Sequence, residues 1–123
     1  MTSLTAKTCT PCQGGIPPLT AAVAERYRPE VPDWALLDDA RRIERSFRFR
    51  DFAQAFAFVG KVAELAEDEG HHPDVTFGWG YATVSLQTKK IKGLHENDFV
   101  MAAKIDALAS GGGPAAVGRG GRG

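Results

Sequence analysis

An excess of charge of either sign is what this chain most plainly lacks. Its 123 residues hold 15 lysines and arginines against 15 aspartates and glutamates, a formal net charge of zero. A sequence-independent grip on nucleic acid or on an anionic membrane needs a positive excess, so neither is expected as a partner. Long apolar runs are missing too, and none approaches the roughly 18 residues that a membrane span requires. Residues 1–8 are mostly polar and lack an apolar stretch, so no secretory signal is expected and a cytoplasmic location is the default. Cysteine and histidine are scarce, with two and three residues.

The cysteines form one Cys-x-x-Cys, Cys9 and Cys12. A structural zinc takes four ligands, usually from a second closely spaced pair, and His71, His72 and His95 do not offer one. A redox-active pair would open a helix after a strand, whereas proline and glycine flank this one. The pair reads as free thiols, with zinc the remaining alternative.

What is present fits one soluble domain with a real core: 43% hydrophobic, 24% charged and 9% aromatic residues. Seven of the 14 glycines follow Ser110, so residues 111–123 are expected to be a disordered tail. Arg119 and Arg122 are too few to make that tail an RNA-binding segment. Residues 1–18 read as an extended, turn-rich arm, and residues 19–110 as the folded domain, without internal repeats.

Within that domain Thr20 caps a short helix through Tyr27, closed by Pro29. Residues 34–37 predict a strand turned by Asp38 and Asp39. Residues 41–50 alternate, with Ile43, Arg45, Phe47 and Phe49 on one side and Arg42, Glu44, Ser46, Arg48 and Arg50 on the other, a half-buried strand with a basic solvated face. Asp51 then caps a long helix ending at Gly70. Its buried stripe is expected at Phe52, Phe56, Val59, Ala63 and Ala66, flanked by Ala55, Phe58, Val62 and Leu65. After Pro73 the period returns to two, with Val75, Phe77 and Trp79 on one face, then Ala82, Val84 and Leu86 beyond a turn near Gly80. A last helix spans residues 96–109. The order α-β-β-α-β-β-α predicts an α+β fold, a four-stranded antiparallel sheet with three helices packed on one face.

Chemistry concentrates at residues 67–74, where His71 and His72 follow the helix exit. Histidine exchanges protons near neutral pH, and Gly70 and Pro73 make the corner rigid. Glu67, one turn before His71, is placed to orient an imidazole. Glu64, Asp68, Glu69 and Asp74 add to an acidic collar that favours protonated histidine.

The stretch from Phe47 to Asp106 closely resembles the pterin-4a-carbinolamine dehydratases, also called 4a-hydroxytetrahydrobiopterin dehydratases. Their pattern is an acidic residue, three spacers, His-His-Pro, five residues, an aromatic, nine residues, a third histidine, then eight or more residues and Asp. Glu67, His71, His72, Pro73, Trp79 and Asp98 stand at those spacings. The likeness reaches back through residues 47–52, Ala55 and Phe56 to Trp34. One position departs, because Lys89 stands where the family has its third histidine.

The resemblance implies the same α+β architecture and association into homodimers or homotetramers. It implies dehydration of a 4a-hydroxytetrahydropterin to quinonoid dihydropterin in tetrahydropterin recycling, with the pterin as substrate and neither cofactor nor metal. His72 would be the principal acid/base, His71 would hold the hydroxyl or share the proton, and Glu67 would orient the pair. Lys89 would take the place of the third histidine. Pro73, Asp74, Gln87, Thr88, Lys90 and Ile91 match substrate-lining positions. The same resemblance carries a rival, a non-catalytic dehydratase-like coactivator or assembly factor.

Overall fold

In the computed structural model of the chain, residues 4–10 and 16–110 are described. The glycine-rich tail and Cys12 lie outside them. Helix α1 (Ala21–Tyr27) starts where Thr20 Oγ1 accepts the Val23 N–H at 3.2 Å. Strands β1 (Ala35–Leu37) and β2 (Arg42–Arg48) form a hairpin whose turn holds Asp38, Asp39 and Ala40 in the left-handed region. Helix α2 (Phe52–Glu69) is capped by Asp51 at one end and by Gly70, with φ of 68°, at the other. Strands β3 (Asp74–Gly78) and β4 (Tyr81–Leu86) follow, and helix α3 (Glu96–Ala109) ends the domain.

The sheet order is β1-β2-β4-β3, antiparallel throughout. Register places Ile43 opposite Leu86 and Phe47 opposite Ala82, so one face is apolar apart from Arg45, which stands between them opposite Val84. These residues and Val84 are buried, as are Ala55, Phe58, Val62 and Ala66 of α2 and Phe99, Met101, Ala102 and Ile105 of α3. Tyr27 extends the layer by stacking on Phe99 at 4.7 Å. Arg45 lies on this covered face as its alternation predicts. Its guanidinium stands 4.3 Å from the Phe47 ring and donates to Asp106 at 2.7 Å, where the Trp34 Nε1–H also donates. The α+β architecture expected from periodicity is the one observed. Among the described residues no helix is long and apolar enough to cross a membrane.

Two details differ from the sequence expectation. The buried stripe of α2 is Ala55, Phe58, Val62 and Ala66, while Phe52 and Phe56 are 49% and 61% exposed and Ala63 is exposed. Both series have helical spacing, and a sheet covers only one side of a helix, so packing decides the phase. Phe52 and Phe56 instead flank Phe77 with ring centroids 5.5 and 6.1 Å apart. Trp79 does not share a face with Val75 and Phe77. It lies in the two-residue turn completed by Gly80, where φ is 80°, and is 72% exposed.

The amino-terminal residues also join the core. Leu4, in a 3-10 turn (Leu4–Ala6), is fully buried, and Leu19 N–H donates to Leu94 O at 2.9 Å. Here the chain passes so close to Gly93 that a Cβ there would lie 2.4 Å from Pro18 Cβ.

Candidate active site

Two chain segments make the site. The first is the exit of α2, where the left-handed Gly70 lets the N–H groups of Gly70 and His71 both return to Ala66 O, at 2.9 and 3.2 Å. His71, His72 and Pro73 then span the gap to β3. The second is the connection from β4 to α3, closed on itself where Thr88 N–H donates to Gly93 O at 2.8 Å. A 3-10 turn (Lys89–Ile91) sits at its tip. Between the segments lies a cleft of about 260 Å³, lined by His71, His72, Gln87, Thr88, Lys89 and Lys90, with Thr10, Gly70 and Asn97 completing the wall.

Each histidine is backed by its own carboxylate. His71 Nε2 lies 2.6 Å from Asp98 Oδ1, with His71 11% exposed and Asp98 fully buried. The other oxygen, Asp98 Oδ2, accepts from Thr88 Oγ1 at 2.7 Å and from His95 N–H at 3.0 Å. Asp98 also sits in the first turn of α3, in a capping box with His95, where the helix dipole favours negative charge. His72 Nε2 lies 2.5 Å from Glu67 Oε2, and this pair is open to solvent. A carboxylate can only accept, so the Nε2 of each ring carries the proton shared with it. Nδ1 is then the nitrogen of each ring without a partner among the described residues, an acceptor when the ring is neutral and a donor when it is charged.

The expected assignments are redistributed by this geometry. Glu67 orients His72, not His71, because the left-handed residue at position 70 turns His71 inward beneath the start of α3. Asp98, present in the sequence pattern only by its spacing, is the carboxylate that holds His71. The His95-to-Asp98 capping signature was its one local cue. Gln87, Thr88, Lys89 and Lys90 reach the cleft, although the Thr88 hydroxyl is committed to Asp98. Lys89 Nζ stands 3.4 Å from Asp74 Oδ1, both side chains exposed. Ile91 is buried under its turn, away from the cleft. Pro73 lines a neighbouring apolar cleft of about 290 Å³ with Val59, Val62, Val75, Glu67 and His72, so His72 stands between two concavities.

Glu69 leaves the expected acidic collar, pairing with Lys104 at 2.6 Å and accepting the Cys9 N–H at 2.8 Å. Burial alone would raise its pKa, but the Cys9 N–H and Lys104 outweigh that and hold it below the ordinary value. Cys9 is a free thiol, pushed up to about 12, chiefly by burial and then by Glu69. Among the described residues no three His, Cys, Asp or Glu side chains converge as metal ligands would.

The helix exit of this α+β domain thus presents two carboxylate-backed imidazoles to one cleft, an arrangement with the chemical means to give and take protons. Residues 17–108 match the family model described as pterin 4 alpha carbinolamine dehydratase. A protein of Cupriavidus pinatubonensis, assigned by name as pterin-4-alpha-carbinolamine dehydratase 1, is 65% identical over 108 residues, 88% of this chain and 93% of the relative. A crystal structure from Brucella melitensis, titled a transcriptional coactivator/pterin dehydratase, superposes with a TM-score of 0.70 at 34% identity, over 75% of this chain and 98% of that one. A pterin dehydratase-like protein identified as a RuBisCO assembly factor in the alpha-carboxysome gives a TM-score of 0.55 at 31% identity, over 63% and 89% of the two chains. The chain belongs to the pterin-4-alpha-carbinolamine dehydratase family.

Proposed function

We propose that the protein dehydrates a 4a-hydroxytetrahydropterin to the quinonoid dihydropterin and water, in tetrahydropterin recycling, by histidine acid/base catalysis. The C4a–O bond breaks as the adjacent ring nitrogen loses its proton to a base, and the departing hydroxyl takes a proton from an acid. One proton and one hydroxide leave the pterin, and a carbon–nitrogen double bond forms. The observation that carries this reading is the pair of imidazoles at one cleft, each tied through Nε2 to its own carboxylate.

His72, the more accessible ring, is the principal proton carrier. His71, fixed by Asp98, holds the hydroxyl or shares the proton. Glu67 sets the His72 ring, and the Lys89 ammonium donates to the hydroxyl where the family pattern has a histidine. Gln87, Thr88 and Lys90 line the pterin from the facing loop, with Pro73 and Asp74 at the margin. The reaction as written calls for no cofactor or metal, and a free thiol at Cys9 suits a reducing, cytoplasmic setting.

A second copy of the chain is the partner we assign to the exposed aromatics Phe52 and Phe56, which border β3, an edge strand of the sheet. A homodimer or homotetramer would cover both. The rival reading, a protein-binding coactivator or assembly factor on the same fold, is favoured by one observation, Lys89 in the third-histidine position.

Stopped-flow measurement of 4a-hydroxytetrahydropterin decay separates the two. Acceleration at micromolar protein is expected, and decay no faster than in buffer overturns the enzyme reading.

A further inference from the structure

We infer that Thr10 is a substrate-contacting residue of the cleft, and that Asn97 is the positioning residue that puts it there. The inference rests on the dehydratase reading.

Thr10 reaches the cleft wall from the amino-terminal arm, far from the His-His-Pro corner in sequence. It is held there by a buried side chain. Asn97 Oδ1 accepts the Thr10 N–H at 2.9 Å, and Asn97 Nδ2 donates to Thr10 O at 2.6 Å. One amide thus takes both peptide groups of one residue, which fixes the peptide in register and in orientation. The preceding residue is anchored too, because the Cys9 N–H donates to Glu69 Oε1 at 2.8 Å and Lys104 holds the same carboxylate at 2.6 Å. Further back, Lys7 pairs with Glu96 at 2.8 Å, and Leu4 is buried in the core.

These anchors fall on the two segments that build the site. Glu69 lies two residues before His71, and Asn97 is the neighbour of Asp98. If the arm left, Asn97 would lose both its side-chain partners, Glu69 the Cys9 N–H, and the core the buried Leu4. The arm therefore belongs to the folded site. With its peptide N–H and C=O taken by Asn97, what Thr10 can offer a ligand is its hydroxyl. A hydroxyl on the cleft wall can hydrogen-bond a pterin heteroatom, but it has no part in moving the proton. Its contribution is then equal in ground and transition states, which appears in KM and not in kcat.

The test compares the full-length protein with Thr10→Val, which keeps the shape and removes the hydroxyl, and with Thr10→Ser, which keeps the hydroxyl. Loss of one neutral hydrogen bond predicts a KM about threefold to tenfold higher for Thr10→Val. Its kcat is expected within about twofold of the parent, since uniform binding leaves the chemical step alone. Thr10→Ser is expected to restore KM. Asn97→Ala is expected to raise KM likewise, and adding Thr10→Val to it should raise KM little further, because both changes remove one contact. Thr10 is exposed, so Thr10→Val reads the contact even if Asn97→Ala unfolds the protein. An unchanged KM in Thr10→Val, beside a parent that accelerates the decay, overturns this inference alone. A parent that does not accelerate it overturns the dehydratase reading and this inference with it.

Discussion

Asp98 and His71, 27 residues apart in sequence, meet at 2.6 Å in the interior, and the same carboxylate binds Thr88 and the His95 N–H. Three donors converge on a group that is fully buried. Its two oxygens can satisfy all three only as acceptors. Asp98→Asn replaces one oxygen with a donor, so either His71 or the Thr88 and His95 pair loses its partner. We expect kcat to fall by about 100- to 10,000-fold, the scale of a misplaced acid–base group. Unfolding free energy should drop by about 1–3 kcal/mol for the unsatisfied group. Stopped-flow kinetics with urea unfolding on the same protein checks both, and a near-normal kcat would remove Asp98 from the positioning of His71.

His72 gives the opposite balance of effects. Its side chain is 60% exposed and its Glu67 partner more so, which leaves little stability in the pair. His72→Ala is expected to leave the unfolding free energy within about 0.5 kcal/mol of the parent, as for most surface changes. The dehydration rate should fall by about 100- to 10,000-fold if this ring moves the proton. An unchanged rate would shift the acid–base role to His71.

The fold was legible in the sequence because its boundaries are made by local chemistry. Thr20, Asp51 and Gly70 cap the helices where their residue types predict, and the change of period at Asp51 separates β2 from α2. What was not legible depends on partners distant in sequence. Two apolar stripes compete on α2, and only the sheet decides that Phe58 goes in and Phe56 stays out. The His-His-Pro corner stood out by composition. Its partition between Glu67 and Asp98 did not, because the inward turn of His71 follows from the left-handed Gly70 and from where α3 begins. The docking of the arm left no local trace, since Leu4 stands between Ser3 and Thr5 with no apolar period around it, and the tie between Thr10 and Asn97 spans 87 residues.

Lys89 carries the departure from the family pattern. Its side chain is 70% exposed, and among the described residues its ammonium is tied to Asp74 alone, at 3.4 Å, so it can turn toward the cleft. An ammonium donates but has no lone pair, so it can hold the leaving hydroxyl and cannot serve as base. Lys89→Ala is expected to lower kcat/KM about tenfold to a hundredfold, the worth of one charge-assisted hydrogen bond. Lys89→His should recover that loss. Equal activity of all three proteins would show that the position plays no part in catalysis.

Phe56, 61% exposed beside Phe52 and Phe77, tests the assembly. Phe56→Glu places a charge where the second copy would bury the ring, and burying an unpaired charge is costly. Size exclusion with light scattering is expected to give the mass of a homo-oligomer for the parent and of a monomer for the variant, with the circular dichroism spectrum unchanged. An unaltered molecular mass would place the contact on another face.

Glu69 sets an acid limit on the attachment of the arm. Its carboxyl is depressed below the ordinary value of 4.5 in the folded chain, because the Cys9 N–H and Lys104 outweigh the opposing effect of burial. A carboxyl with a lower pKa folded than unfolded contributes stability that is complete above its unfolded pKa and disappears as pH falls through the folded one. Glu69→Gln keeps an acceptor for the Cys9 N–H and loses the charge facing Lys104. At pH 7 the parent should exceed this variant by about 1–2 kcal/mol in urea unfolding, as for a charge-assisted hydrogen bond between partly buried groups. The gap should stay level down to about pH 4.5 and close at lower pH, as the parent takes up the proton that the variant cannot bind. A gap that stays constant through that range would mean that the charge of Glu69 contributes nothing to holding Cys9, and with it Thr10, against the site.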